Sequence, residues 1–203
     1  MNSLRQRLKL ETAAVHQRLH RLSVSKKLLA GETSIAEYAQ YLEAHRYFYR
    51  TLDCYFYKNK SGLIADSGCF VDWLETDLNN LGSTFMRLNH SRVCDSFRSA
   101  VDRSLAAELG YAYVKYGSMF GAGVILSALQ KKVINSDSEK QALTIPSTFY
   151  LSNAISKQKI FWKRFESALC DHSDEDDDRV VHSAIKSFEV VFGLLSEQTA
   201  KAE

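Results

Sequence analysis

The scarcity of proline constrains the fold of this chain more than any other feature, because Pro146 is the single proline among 203 residues. Proline breaks helix interiors and is frequent in turns, so its near absence leaves long helices uninterrupted. Stretches of alternating β-branched and polar residues, the pattern of a half-buried strand, are also scarce. The chain is therefore predicted to be all-α.

Apolar periodicity and the breaks between periodic stretches predict about seven helices. They cover roughly residues 2–30, 34–58, 65–81, 91–110, 111–132, 147–170 and 177–200. Ser34 is a candidate N-cap, since Glu37 follows it at the spacing of a capping box. No internal repeat or low-complexity linker divides the chain, so we expect residues 1–203 to form a single helical-bundle domain.

The composition is that of a soluble globular protein, with 45% hydrophobic and 25% charged residues. A net charge of +2 with dispersed lysines and arginines argues against a dedicated nucleic-acid binder. The longest uncharged stretch around the glycine-rich region, residues 116–130, is too short to span a membrane. The N-terminus carries charges throughout, unlike a signal peptide, and the cysteines form no CxxC pair. We therefore expect a cytoplasmic protein that binds neither membranes nor nucleic acid.

The first predicted helix combines a buried stripe with a histidine at its edge. The stripe residues, which fall within about 60° of arc, are Leu4, Leu8, Val15, Leu19 and Leu22. His16 lies at the margin of this stripe, and Thr12 and Lys9 follow along the same flank. A histidine there is most often a boundary residue that bonds a neighbour, but it is also placed to bind a metal from a cleft. The residue pattern leaves both interpretations open.

Three glycines, Gly117, Gly121 and Gly123, lie close together inside a predicted helix. A helical glycine costs about 1 kcal/mol relative to alanine, so the cluster needs a structural or functional reason. Small residues four apart on one face let a second helix approach closely. They equally let a flat ligand lie against bare backbone, because a Cβ atom would hold the ligand away. The pattern does not choose between helix packing and a ligand wall.

Four blocks of sequence, in order and covering most of the chain, carry a family resemblance. They are LKLETAAVHQRL (8–19), WLETDLNNLG (73–82), YVKYGSMFGAGVI (113–125) and KIFWKRFESAL (159–169). Taken together, they resemble the heme oxygenases, and most closely the compact bacterial members that produce biliverdin. The resemblance implies a single-domain helical bundle with heme between the first helix and a kinked, glycine-rich distal helix.

The resemblance also implies roles for individual residues. It makes His16 the axial ligand of the heme iron. The residues that it implies around the rest of the heme are Lys9, Thr12, Tyr113, Lys159 and Lys163. The residues that it implies over the reacting face are Gly117, Ser118 and Gly121. On this interpretation the glycines admit the porphyrin and leave room for dioxygen.

The implied activity is oxidative cleavage of heme to biliverdin, carbon monoxide and ferrous iron. Electrons would come from a separate ferredoxin or reductase, since the chain has no nucleotide-binding motif and no iron–sulfur cysteine cluster. A phytochrome-type photoreceptor is one candidate acceptor of the biliverdin. Two alternatives remain at this point: a non-catalytic heme carrier or sensor on the same fold, and a thiaminase-like hydrolase of the wider fold group.

Three positions depart from the family pattern. His20 stands four residues after the ligand position, where the family usually has an acidic residue that can orient the imidazole. In the distal block, Tyr116 and Phe120 stand where bacterial relatives often have glutamate and leucine. The first departure bears on the strength of the axial bond, and the other two bear on which porphyrin carbon is cleaved.

Overall fold

The regular structure of the protein is helical throughout the part of the chain that the computed structural model describes, residues 3–59, 61–64, 68–82, 91–135 and 147–199. The α-helices in those ranges are α1 (Leu4–Glu11), α2 (Ala13–Arg21), α3 (Ser23–Ala30), α4 (Ile35–Phe56), α5 (Gly68–Asn80), α6 (Ser91–Ala100), α7 (Leu105–Asn135), α8 (Phe149–Cys170) and α9 (Asp177–Thr199). Short 3-10 helices follow α4 and precede α9. The prediction of an all-α fold is confirmed.

The predicted capping box at the start of α4 is present. The Ser34 hydroxyl accepts a hydrogen bond from the Glu37 amide at 3.1 Å, and the Glu37 carboxylate accepts one from the Ser34 amide at 2.8 Å. These reciprocal bonds satisfy two amide groups that have no partner inside the helix. Gly31 ends the preceding helix in the left-handed region at φ +69°. The chain therefore turns between α3 and α4 where the sequence predicted a break.

The prediction of one helix over residues 2–30 is wrong, because the chain forms three helices there. At Thr12 the deviation is small, since the backbone hydrogen bonds on either side continue. At Leu22 the backbone is extended, with ψ 143°, and the chain changes direction. This turn lets α3 bury Val24 and Leu28 in the core and pack against α7. Tertiary packing thus overrides a local sequence that has no helix-breaking residue.

The predicted boundary between helices at residues 110 and 111 is also wrong. The break lies earlier, where the Ser104 hydroxyl accepts a hydrogen bond from the Ala107 amide at 3.1 Å and caps the start of α7. Gly110 lies inside α7, where its missing side chain permits close packing on α9. A Cβ atom at Gly110 would lie 2.2 Å from the carbonyl oxygen of Val180. This glycine serves helix packing and does not end a helix.

The core of the bundle forms around α7, which packs along both α8 and α9, while α4 packs against α5 and α9. The N-terminal helices α1 and α2 lie against α9. The aromatic residues of α4 provide much of the core, with Tyr38, Phe48, Tyr49 and Phe56 almost fully buried. Within the described residues, no helix is long and apolar enough to cross a membrane.

Candidate functional site

A cavity of about 600 Å³ lies where the N-terminal helices face α7, α8 and α9. The predicted site residues that line it are Lys9, Thr12, His16, Tyr113, Gly117, Ser118 and Gly121. Lining residues that the sequence reasoning did not select as site residues include Arg5, His45, Phe48, Tyr49, Trp162 and Phe188. The fold thus brings blocks separated by about 100 residues of sequence to one pocket, whose wall is mostly apolar and aromatic.

Helix α2 carries His16 into this cavity. The His16 ring meets the rings of His20 and Phe188 edge-on, with centroid distances of 4.6 Å and 5.5 Å. Partial burial, and secondly the neighbouring His20, lower the pKa of His16 below its ordinary value of 6.5. The imidazole is therefore neutral at pH 7, and a nitrogen lone pair is free to bind a metal.

Thr12 lies one helical turn before His16, at the junction of α1 and α2. Its side chain is buried, with 2% of its surface exposed, and its hydroxyl donates a hydrogen bond to the Leu8 carbonyl at 2.6 Å. The hydroxyl proton is therefore committed to the backbone. Thr12 contributes shape to the cavity wall and helps to orient the helix that carries His16.

The glycines of α7 form a different wall of the cavity. At Gly117 and Gly121 an added Cβ atom would meet no heavy atom of the described residues within 4 Å. Gly110 in the same helix is the opposite case, because its missing side chain accommodates the α9 backbone. Gly117 and Gly121 therefore expose bare backbone to open space, and no helix of the described ranges packs against their missing side chains. Helix α7 runs without interruption past these glycines, and a kink there stays a prediction.

Hydroxyl groups form a chain of hydrogen bonds beside the glycine wall. The Ser118 hydroxyl donates to the Lys115 carbonyl at 2.7 Å, one helical turn back. The Tyr49 hydroxyl lies 2.8 Å from the Ser118 hydroxyl and 3.0 Å from that of Tyr150. Burial raises the pKa of Tyr49 well above its ordinary value, so the phenol stays protonated. Helices α4, α7 and α8 thus meet at one polar point of the cavity.

Behind the glycine wall, a buried ion pair joins α4 to α7. The Lys115 ammonium lies 2.7 and 2.9 Å from the two carboxylate oxygens of Asp53, and the Tyr111 hydroxyl donates to the same carboxylate at 2.7 Å. The side chain of Lys115 is fully buried. Burial raises the pKa of Asp53, and the ammonium group opposes that shift. The pair holds the helix that carries the glycines against the core.

Two cationic side chains from α1, Arg5 and Lys9, reach the lining of the cavity. Arg5 also forms an ion pair of 2.8 Å with Glu166 and lies over the Trp162 ring. The Trp162 indole donates a hydrogen bond to the same carboxylate at 2.9 Å. These contacts hold the Arg5 guanidinium group beside the aromatic ring of Trp162 at one edge of the pocket.

Lys159 and Lys163 lie on the exposed surface of α8 and do not line the cavity. Between them in sequence, Trp162 provides the α8 wall, and its ring lies 6.2 Å from that of Tyr113. The sequence block 159–169 therefore reaches the pocket through its aromatic residue. Whether the two lysines approach a bound ligand stays a prediction.

Other lining residues had weak sequence signals. Trp162 belongs to one of the recognised blocks, so it was within reach of prediction. His45 had no such signal, because it lies in an aromatic helix whose pattern is that of a core. Arg5 precedes the first recognised block and has no motif of its own.

The donor set of the cavity fits heme better than a bare metal ion. Within the described residues, no group of three or more His, Cys, Asp or Glu side chains is arranged to hold a metal. A single neutral imidazole suffices when a porphyrin supplies the other nitrogen ligands. The bare backbone at Gly117 and Gly121 leaves a space that side chains would fill. A flat, mostly apolar ligand with anionic groups matches this shape and the nearby cations.

Comparisons with known proteins agree with this interpretation. The model of the heme oxygenase family matches residues 2–197. The heme oxygenase of Leptospira interrogans has a similar structure, with a TM-score of 0.67 and 20% identity over 97% of this chain and 100% of that chain. Heme oxygenase-1 of the cyanobacterium Synechocystis, solved in complex with heme, has a TM-score of 0.70 and 16% identity over 98% and 94%. No curated protein matches the chain.

Fold and cavity together define an all-helical protein that presents one neutral imidazole and a bare helix backbone to a large apolar pocket. The chain belongs to the heme oxygenase family. The family predicted from the sequence is confirmed, and it supports the predicted heme oxygenase function. The two solved structures confirm the predicted fold. None of these comparisons favours the carrier or the hydrolase alternative.

Proposed function

We propose that this chain is a catalytically active heme oxygenase that holds its substrate in the cavity between α2 and α7, with His16 as the axial ligand of the iron. The observation that carries the proposal is the open face of α7, where Gly117 and Gly121 offer backbone and no side chain to the cavity. His16, a neutral histidine on a different wall of the same cavity, provides the iron ligand that heme binding also requires.

When bound, heme supplies the iron that activates dioxygen and the porphyrin carbon that is oxidised. His16 would hold the iron through a ring nitrogen. Gly117 and Gly121 would let the heme lie close to the α7 backbone, and Ser118 would present its hydroxyl oxygen from the same wall. Phe48, with the aromatic rings of α8 and α9, excludes bulk water.

The cations at the cavity orient the substrate in its plane. Lys9 and Arg5 reach the lining, and Lys159 and Lys163 are exposed outside it. Lys9 and Arg5 would therefore pair with the heme propionates more closely than Lys159 and Lys163 would. Charge-assisted hydrogen bonds are stronger than neutral ones, and here they would set which edge of the ring points outward. Electrons come from an external ferredoxin or reductase, and biliverdin leaves for an acceptor such as a phytochrome-type protein.

The test starts from the purified protein, hemin and an electron donor under air. We expect one heme per chain, a Soret band of a histidine-ligated heme, and conversion to biliverdin with release of carbon monoxide. His16→Ala should lose the histidine-ligated spectrum and the turnover. The matched control is His182→Ala, since His182 lies on α9, is exposed and bonds the Ala100 carbonyl away from the cavity.

Three outcomes contradict the proposal in different ways. Heme binding without any biliverdin would identify a carrier or sensor. A wild-type spectrum in His16→Ala, together with its loss in His20→Ala, would move the ligand to His20. Failure of the wild-type protein to bind heme at all would remove the proposal entirely.

The role of the cations has its own test. Lys9→Ala should weaken heme binding about 3- to 10-fold, in the range of one partly exposed charge-assisted bond, and should broaden the mixture of biliverdin isomers. Lys159→Ala combined with Lys163→Ala should have a smaller effect, because both side chains lie outside the cavity lining. Heme titrations and chromatography of the products measure both effects. Equal effects of the two changes would contradict this account of the propionate edge.

A further inference from the structure

The arginine at one edge of the cavity is already paired with a carboxylate of the protein itself. Arg5 of α1 lines the cavity, and its Nη1 lies 2.8 Å from Oε1 of Glu166 on α8. Glu166 itself does not belong to the lining. Helix α1 packs mainly on α9, whereas α8 packs on α7 and α5. The ion pair therefore links two walls of the cavity through side chains.

Trp162 contacts both partners of this ion pair. Its indole donates a hydrogen bond of 2.9 Å to the same Glu166 oxygen, and the Arg5 guanidinium lies 5.8 Å from its ring centroid. The Trp162 ring also packs edge-on against Phe120, with ring centroids 5.1 Å apart. Arg5 and Glu166 thus meet beside an aromatic ring that the cavity wall holds in place.

The charge of Arg5 is only partly available to a ligand. Among the described residues, no second acceptor holds the remaining guanidinium N–H groups, so these groups can donate to a ligand in the cavity. The pair as a whole is neutral, however. A carboxylate that approaches Arg5 is attracted by the guanidinium and repelled by the adjacent Glu166 carboxylate.

We propose that Glu166 competes with the anionic groups of the ligand for Arg5, and that it thereby weakens the hold of the cavity on a carboxylate. The inference rests on the proposed function, because the carboxylates concerned are the heme propionates. In the heme-free protein Arg5 pairs with Glu166. A propionate at this edge would have to share the guanidinium with Glu166, which acts on the ligand through Arg5 and determines specificity without lining the cavity.

Glu166→Gln removes the charge and keeps the shape of the side chain. The amide oxygen can still accept hydrogen bonds from the Trp162 indole and from Arg5, so the aromatic wall stays in place. The matched control is Glu11→Gln, because Glu11 pairs with Arg7 of the same helix α1 at 3.0 Å, and neither residue lines the cavity. Both variants change the net charge equally, so a general effect of charge would appear in both.

The test is titration of the heme-free proteins with hemin, followed at the Soret band. The hemin Kd should fall about 2- to 5-fold in Glu166→Gln, the range of one partly exposed ion pair, and should stay unchanged in Glu11→Gln. High salt should shrink the fall, because it screens exposed charges. The dimethyl ester of hemin has no free carboxylate, so its Kd should be the same in Glu166→Gln and in the wild-type protein.

A double-mutant cycle shows whether Glu166 acts through Arg5. In the Arg5→Ala background, adding Glu166→Gln should lower the hemin Kd much less than it does in the wild-type protein. Any of four results would overturn the competition. These are a hemin Kd that does not fall in Glu166→Gln, an equal fall in Glu11→Gln, an equal fall for the dimethyl ester, and an equal fall without Arg5.

These binding measurements are independent of turnover. A wild-type protein that binds hemin but forms no biliverdin would contradict the proposed function, while the Kd values would still decide the role of Glu166. Normal turnover together with an unchanged hemin Kd in Glu166→Gln would overturn this inference alone. A wild-type protein that binds no hemin would overturn both.

Discussion

The protonation of a single buried residue, His45, makes the stability of the fold depend on pH under acidic conditions. Burial lowers its pKa from 6.5 to about 4. Between these two pH values the unfolded chain binds a proton at this residue that the folded chain does not, so stability falls as the pH falls. The loss approaches about 1.4 kcal/mol per pH unit and stops below the folded pKa.

His45→Leu should therefore flatten the acid dependence of stability in the heme-free protein. Urea unfolding of wild type and variant at pH 7.0, 5.5 and 4.5 measures the difference between their slopes. Comparing the two proteins cancels the contributions of the carboxylates, which also titrate in this range. Equal slopes would show that His45 is not kept neutral by its surroundings.

The glycines of α7 give a residue-level contrast within one helix. Gly121→Ala should raise the Tm of the heme-free protein by about 2–4 °C, because alanine favours the helix by about 1 kcal/mol and meets no neighbour. Gly110→Ala should lower the Tm, because its Cβ would lie 2.2 Å from the Val180 carbonyl oxygen. Scanning calorimetry of the two variants measures both Tm shifts. Opposite signs would confirm that Gly121 faces open space and that Gly110 packs against a helix.

A bulkier change at the open face separates folding from function. Gly121→Leu, and to a lesser degree Gly117→Leu, should leave the heme-free protein folded but reduce or misdirect heme oxidation, because leucine fills the space beside the ligand. Circular dichroism and biliverdin yield measure the two effects. A destabilised variant whose folded fraction still turns over heme would mean that α7 packs against another helix at this face.

At the level of elements, Asp77 of α5 holds the start of α8. Its carboxylate accepts hydrogen bonds from the backbone amides of Phe149 at 2.7 Å and Tyr150 at 2.9 Å, and from the Ser147 hydroxyl. Asp77 is fully buried, so these bonds replace hydration that the carboxylate has lost. The aspartate of the block WLETDLNNLG thus caps a helix that follows about 70 residues later.

Asp77→Ala should lower the free energy of unfolding by about 3 kcal/mol, since it removes hydrogen bonds to a charged group and leaves buried amides unpaired. Asp77→Asn should cost less, because its carbonyl oxygen can still accept one of these bonds. Denaturant unfolding measures both changes. Asp72→Ala, at an exposed position of the same helix, is the control and should change stability little. An effect at Asp72 equal to that at Asp77 would contradict the capping role.

For the molecule as a whole, the Asp53–Lys115 pair connects α4 with α7 across the core. Lys115→Met should lower the free energy of unfolding by about 3–5 kcal/mol, because it leaves the buried Asp53 carboxylate without its cation. The combined change Asp53→Leu and Lys115→Met should restore much of that loss, since neither charge then remains buried. A double-mutant cycle by denaturant unfolding measures the coupling, and additive effects of the two changes would show that the pair is not coupled.

Much of the fold was predictable from local sequence patterns, because helix periodicity, proline scarcity and the Ser34 capping box depend on neighbours within a few residues. The turn at Leu22 and the start of α7 after Ser104 were not, because they depend on how α3 and α7 pack in the bundle. Local patterns are silent about a helix partner that lies far away in sequence.

The candidate site was likewise only partly predictable from the sequence. His16, Ser118 and the glycine cluster could be selected from sequence because they belong to blocks with a family resemblance. The opposite environments of Gly110 and Gly117 could not, because a missing side chain looks the same whether a helix or a cavity faces it. The neutral state of His45 depends on its burial in the bundle, where Tyr150 of the distant helix α8 lies beside it, because burial lowers the pKa of a histidine.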